Sequence, residues 1–348
     1  MGRRLRSSII VVTYNHRQYI EGCLRALLPT LTDEDEAIVI DNGSSDGTPQ
    51  LVTAMFPTVR FSQNRFNVGF GAACNQAALA SDAEFLVFLN PDTEARRGWL
   101  DPLVAPLQQH SDVGLTTPKI LLRAHPELID TFGHDVHISG ISTCRGWGRP
   151  SDAHAEPEVV GAVSGACFAI RRRVFAKLGG FDERLFLYYE DDDLSLRARL
   201  AGYKCLATPA SEIVHDHRPG FSPQKLRYLE RNRWYAMLKL LKLRTLITLV
   251  PVLIGAEVLV WGMALWRGPR HAIAKAQSYR DVLGWLVLLP REREQVVRVV
   301  SDRELLQLHA AVVKADQVSS SSFVRHLEWV VSNAFQALRL LPLRLAAG

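Results

Sequence analysis

Three polar clusters each follow a run of β-branched and aliphatic residues. Thr13-Tyr14-Asn15 follows residues 9–12, Asp41-Asn42 follows residues 37–40, and Asn90-Pro91-Asp92 follows residues 85–89. An Asx residue after a strand often does no more than cap a helix or a turn. Three such clusters after successive strands instead mark one edge of a sheet, where open α/β folds bind their ligands. Asp41 is placed to accept a hydrogen bond from a base imide N–H or from a ribose hydroxyl. Asp92 is placed to hold a hard divalent cation, Mg²⁺ or Mn²⁺, against a diphosphate.

The densest charge is Glu190-Asp191-Asp192-Asp193. Four adjacent acids repel one another and are costly to bury without a purpose. They also suit a solvated first helical turn, where the dipole favours them. Both readings hold if one acid faces a crevice and the others cap the helix. A carboxylate there is positioned to deprotonate a hydroxyl during in-line displacement. His215, with Asp216, His217 and Arg218 after it, closes the strand-like run 210–214 and adds a candidate metal or phosphate ligand. Residues 67–75 contain a G-x-G, but Cys74 occupies the third glycine position of a dinucleotide fingerprint. The segment also follows the third strand and not the first.

The elements that position these residues alternate. Strands are predicted at 9–13, 37–40, 59–62 and 85–89, with helices at 18–28, 49–56 and 71–80 and a loop at 42–47. That alternation predicts a doubly wound, mostly parallel α/β sheet. Residues 95–225 continue as mixed α/β, and from 226 onward only helices are expected. Two domains follow, 1–225 and 226–348.

The 348 residues carry a net charge of +5, which hides an asymmetry. Residues 1–225 hold 23 Lys/Arg against 27 Asp/Glu, net −4, and residues 226–348 hold 18 against 9, net +9. A basic, apolar tail suits an anionic membrane surface. It lacks the aromatic–basic interleaving of single-strand nucleic-acid binders, so no nucleic-acid partner is expected. The five cysteines have no CxxC pairing, as expected of reduced thiols in a cytosolic compartment. The apolar run after Arg3, Arg4 and Arg6 is too short for a signal peptide, and Arg6 does not fit the myristoylation pattern.

In order along residues 7–225, VVTYN (11–15), DNGSSDGT (41–48), NVGFGAACN (67–75), LNPDT (89–93), GACFAIRR (165–172), the 179–203 segment GGFDERLFLYYEDDDLSLRARLAGY and VHDHR (214–218) closely resemble the GT-A family 2 of inverting glycosyltransferases. The likeness is closest to its rhamnosyltransferase-like branch of bacterial polysaccharide synthesis. The resemblance implies that Thr13, Asn15 and Asp41 contact the nucleoside, with Gly69 and Asn75 shaping its pocket. It implies that Asp92 and His215 ligate the metal, with Asn90 in place of the first acid of a D-x-D. Asp191 would be the catalytic base, Glu190 would support the acceptor, and Arg197 would position the acid loop or the leaving phosphate. The implied reaction transfers a sugar, rhamnose from dTDP-rhamnose or another dTDP- or UDP-sugar, to a polyprenyl-diphosphate-linked glycan. Two other classes stay open, a GT-A-shaped membrane scaffold without catalysis and a nicotinamide-dependent oxidoreductase.

Residues 246–266 are almost wholly apolar and close to the length that spans a bilayer. Glu257 lies mid-segment, Pro251 and Gly255 are expected to interrupt it, and Lys239, Lys242, Arg244, Arg267, Arg270 and Lys275 flank both ends. Basic flanks on both sides favour a re-entrant or in-plane helical pair on the cytoplasmic leaflet over a clean span. An amphipathic helix is expected at 323–341. An ordinary helical subdomain is the alternative.

Overall fold

The computed structural model describes residues 5–217 and 220–310. Arg218 and the expected helix at 323–341 lie outside the described residues. The chain divides into two compact units, one of residues 1–134, 144–198 and 203–218, the other of 135–143, 199–202 and 219–348.

The first unit opens with β1 (Ser7–Thr13), α1 (Arg17–Leu27), β2 (Asp35–Asp41), α2 (Thr48–Met55), β3 (Arg60–Gln63), α3 (Phe70–Ala80) and β4 (Phe85–Leu89). The chain continues through β5 (Thr93–Ala95), α4 (Leu100–Gln109), β6 (Val113–Leu122), β7 (Ile129–Thr131), β8 (His134–Val136), β9 (Ser142–Cys144) and β10 (Glu158–Val159), with most of β8 and β9 counted in the second unit. Then come β11 (Cys167–Arg171), α5 (Arg172–Lys177), α6 (Glu190–Leu200) and β12 (Lys204–His215).

Ten of the strands form one mixed sheet in the order β10-β12-β6-β11-β4-β1-β2-β3, with β5 added to β12 and β7 to β6, and β8 pairs with β9 in a separate two-stranded sheet. β3, β2, β1 and β4 run parallel, as the alternation predicts. β11 is antiparallel to both β4 and β6, and β12 returns parallel to β6. The reversal follows from connectivity: α5 comes after β11 and not before it, so no crossover helix carries the chain back to start a parallel strand. β12 also starts earlier than the expected 210, with a register break between Thr208 and Glu212.

β4 is apolar throughout because both of its faces are covered. Phe85, Val87 and Leu89 enter the main core with Ile9, Val11, Val39, Leu24 and Leu103. Phe88, on the other face, stacks on Phe168 at 4.9 Å and meets the edge of Phe181 at 5.1 Å. Each such buried side chain contributes roughly 1.5–3 kcal/mol relative to exposure. This packing fixes the strand ends that carry the polar clusters.

In the second unit, α7 (Pro223–Leu240), α8 (Leu243–Trp266) and α9 (Pro269–Trp285) precede the short α10 (Leu289–Gln295) and α11 (Asp302–Gln307). The expected interruption at Pro251 and Gly255 is absent, and α8 is one continuous helix with Pro251 inside it. Proline removes a single helical hydrogen bond, and the helix is held by what packs on its other face. That face carries Glu257, whose Oε1 accepts from Arg233 Nη2 at 2.6 Å and from Trp234 Nε1 at 2.8 Å. Its Oε2 lies 2.8 Å from Lys275 Nζ and accepts from the Tyr279 hydroxyl. Glu230 pairs with the same two cations. An acid in an apolar helix is therefore matched by a buried Arg and a buried Lys from its neighbours, α7 and α9.

Candidate active site

The ends of β1 and β2 are in register, Thr13 beside Asp41, and Asn42 N donates to Thr13 O at 2.7 Å. Asp41 is fully buried. Its Oδ2 accepts the N–H groups of Gly43 (3.1 Å) and Ser44 (2.9 Å), while Oδ1 has no partner among the described residues. The buried Thr13 Oγ1 is likewise unpartnered. Buried polar atoms without partners are costly, so two of them side by side mark a place for a polar ligand. Asn15 takes a left-handed φ of +55°, and its Oδ1 accepts from Ser45 N at 2.9 Å.

Gly69 and Asn75 support this edge through the 180–187 loop. A Cβ on Gly69 would stand 2.9 Å from Phe186 O, and φ there is +95°. Asn75 Oδ1 accepts from Phe181 N at 2.9 Å, and its Nδ2 donates to Phe181 O at 3.0 Å. Asn75 thus ties α3 to that loop.

Asn90 N donates to Ala166 O at 2.9 Å, and Asn90 O accepts from Thr93 Oγ1 at 2.6 Å. β5, directly after Asp92, pairs antiparallel with the end of β12 and sets Thr93 opposite His215. That pairing brings His215 Nε2 to 3.5 Å from Asp92 Oδ2. Asp92 Oδ1 is buried and has no partner among the described residues. Burial opposes the carboxylate, but His215 outweighs it and lowers the pKa of Asp92. His215 Nδ1 is 2.6 Å from Oδ2 of Asp130, a β7 carboxylate that no sequence reading singled out. Burial disfavours the imidazolium, yet Asp130 and Asp92 raise the His215 pKa to about 10. His217 Nδ1 lies 2.9 Å from the other oxygen of Asp130, and its ring stands edge-on to Trp147 at 5.0 Å.

An oxygen–nitrogen pair at this spacing, with a buried carboxylate oxygen to spare, fits a divalent cation of the Mg²⁺ or Mn²⁺ type.

The acidic turn that opens α6 is buried, not solvated: Glu190, Asp191, Asp192 and Asp193 are each less than a tenth exposed. The chain enters it through left-handed Phe186, Tyr188 and Tyr189, at φ +64°, +67° and +72°. Each costs about 1–2 kcal/mol, strain of the kind that gathers at functional sites. Asp191 Oδ2 accepts Gly165 N at 2.6 Å, and its Oδ1 accepts Asp192 N at 2.9 Å. A Cβ on Gly165 would come within 2.9 Å of that Oδ2, so only glycine admits the carboxylate. Ala166, the next residue, holds Asn90, so the start of β11 links the acidic turn to the metal-type loop.

Burial and then the neighbouring acids push Glu190 and Asp191 above the usual carboxylate range, Glu190 further. Glu190 Oε2 is buried with no partner among the described residues. His134 was also missed by sequence reading. Its Nδ1 is 3.1 Å from Asp192 Oδ1 and 3.8 Å from Asp191 Oδ2. Arg197 is buried, with Nε donating to Asp193 Oδ2 (2.7 Å) and Nη1 to Leu178 O (2.6 Å). Of its two implied roles, those contacts belong to positioning the acid turn.

An open sheet edge with unpartnered polar atoms, an Asp–His pair and a buried acidic turn on one mixed sheet match a GT-A glycosyltransferase. The chain belongs to glycosyl transferase family 2, whose sequence pattern matches residues 8–179. It is 30% identical over 240 residues to the N-acetylglucosaminyl-diphospho-decaprenol L-rhamnosyltransferase of Mycobacterium tuberculosis, covering 62% of this chain and 78% of that protein. It is 26% identical over 252 residues to rhamnosyltransferase WbbL of Escherichia coli, covering 65% of this chain and 93% of WbbL. Among solved structures, GalNAc-T7 with UDP, GalNAc and Mn²⁺ superposes with a TM-score of 0.59 at 18% identity, over 81% of this chain and 56% of that one. Residues 1–349 of TarS from S. aureus superpose with a TM-score of 0.54 at 16% identity, over 96% of this chain and 90% of that one. These two likenesses are of fold.

Proposed function

We propose that this glycosyltransferase is inverting and metal-dependent, and that it moves rhamnose from dTDP-rhamnose to a polyprenyl-diphosphate-linked glycan in cell-envelope polysaccharide synthesis. The observation that carries the reading is Asp191, a buried carboxylate raised in pKa and clamped by Gly165 N beside the Asp92 loop. The choice of sugar and acceptor rests on the relatives, whose names give L-rhamnose transfer and, for one, a diphospho-decaprenol acceptor.

Asp191 takes the proton from the acceptor hydroxyl as that oxygen attacks the anomeric carbon. The bond from that carbon to the diphosphate oxygen breaks, the nucleoside diphosphate leaves, and one displacement inverts the centre. Thr13, Asn15 and Asp41 hold the nucleoside, and Glu190 orients the acceptor. Asp92 and His215 would hold the cation, which when bound neutralises charge on the leaving diphosphate. In a donor panel, nucleoside diphosphate is expected from dTDP-rhamnose and only with the lipid-linked acceptor. Equal release without acceptor, or none from any donor, refutes the reading.

Residues 226–348 are read as the membrane-associating region, on the cytoplasmic face. α8 is long and apolar enough to cross a membrane. Its exposed stripe is apolar from Leu243 through Ile247, Val250, Ile254 and Val258 to Leu265, with Lys242, Arg244 and Arg270 at the ends. Its other face is tied through Glu257 to Arg233 and Lys275 on polar helices that cannot enter hydrocarbon. An in-plane helix satisfies both faces. Ile254→Glu with Val258→Glu, both on the exposed stripe, is expected to release the enzyme from anionic vesicles without lowering its unfolding temperature. Retention on the vesicles contradicts the in-plane face. Cysteines placed at 242 and 270 should label from one side of sealed vesicles, and labelling from opposite sides would mean that α8 spans.

A further inference from the structure

We propose that the short segment from β7 to β8 supplies a positioning residue to each half of the site, Asp130 to the metal half and His134 to the base half. The inference rests on the roles given above to His215 and Asp191.

Asp130 is 1% exposed on β7, a strand paired with β6. Its Oδ2 lies 2.6 Å from His215 Nδ1. Two ligands of one cation sit about 3 Å apart or more when each bond is 2.0–2.2 Å, so 2.6 Å marks a hydrogen bond and not shared ligation. With Nδ1–H donated to Asp130, Nε2 is the nitrogen that faces Asp92 and that a cation would take in place of its proton. This is the outer-carboxylate arrangement that fixes the tautomer and ring of a metal-binding histidine.

Four residues on, His134 sets its ring against the acidic turn, 3.1 Å from Asp192 Oδ1 and 3.8 Å from Asp191 Oδ2. Arg197 pairs with Asp193, and His134 is the basic side chain set beside Asp191 and Asp192, close to the Asp191 Oδ2 that Gly165 N holds. The backbone between the two is pinned on both sides. Phe132 N donates to Arg145 O, and Arg145 N to Gly133 O. On the other side His134 N donates to Ala162 O at 2.8 Å. Gly133 takes φ +79°, and a Cβ there would meet Val160 Cγ2 at 2.9 Å. These bonds fix the backbone from which both side chains project.

The test separates the two halves. Mn²⁺ titrated into full-length protein, with the free ion followed by EPR, should bind Asp130→Asn about 10–100-fold more weakly than the parent. The same variant should keep a folded, cooperative melt. His134→Ala should leave the Mn²⁺ affinity and the donor KM unchanged while kcat falls roughly 100-fold, the scale of a 1 Å misplacement. His134→Asn places an amide near the Nδ1 position and should recover most of that loss. A merely structural role for either residue would move both readouts together, and that result overturns the proposal. Loss of Mn²⁺ binding in Asp130→Asn as complete as in His215→Ala also overturns it, because Asp130 would then be a ligand. If Asp191→Asn is inactive and His215→Ala is metal-deficient while both new variants behave as the parent, this inference alone fails.

Discussion

Asp191→Asn is expected to lower kcat by about 10³-fold and to leave donor affinity within a factor of about two, because only the proton acceptor is removed. The amide is isosteric and can still accept the Gly165 N–H that fixes the side chain. The same change should raise the unfolding temperature. Asp191 is buried among Glu190, Asp192 and Asp193, and its pKa is raised in the folded protein, so its ionised form opposes folding at neutral pH. That opposition is present above the raised pKa and fades as pH falls through it, whereas the neutral amide removes it at every pH. Loss of activity with gain of stability is the signature of a functional acid. The same titration sets the rate: activity should fall as pH drops through the raised range, because the protonated acid cannot take the hydroxyl proton. Near-normal turnover of the variant, measured with saturating donor, removes Asp191 from the role.

Chelation has the second large effect. Excess EDTA should abolish transfer, and Mg²⁺ or Mn²⁺ should restore it. Asp92→Ala and His215→Ala should each weaken binding of the nucleotide donor by about 10–100-fold, read by calorimetry at fixed metal. The reason lies in the ligand count. Asn90 occupies the place of a second acid and adds no charge, so the loss of either remaining ligand removes a large share of the site. Full activity in excess EDTA rules out the metal role of both residues.

The sheet edge was legible because β1, β2 and β4 each carry a continuous apolar run with a polar residue directly after it. A buried parallel strand has no other way to be written. The meeting of Asp92 with His215 was not legible from spacing. It depends on β5 pairing with the end of β12, a contact between distant segments. Asp130 and His134 gave no signal at all, being single polar residues in a stretch too irregular for any hydrophobic period. Their importance comes only from what β6, Arg145 and Ala162 hold them against. The four acids of α6 suited a solvated turn by local rules, and the structure buries all four, with Gly165 against Asp191 and His134 against Asp191 and Asp192. Pro251 misled in the opposite direction. Its local cost is real, but the pairing of Glu257 with α7 and α9 keeps α8 whole.

The most direct test of a single displacement is the configuration of the new linkage. The lipid-linked product of the dTDP-rhamnose reaction, examined by NMR through its one-bond C1–H1 coupling, should carry the anomeric configuration opposite to that of the donor sugar. A product with the donor's own configuration would require two displacements or a different face of attack. That result would contradict the assignment of Asp191 as the base of an inverting transfer.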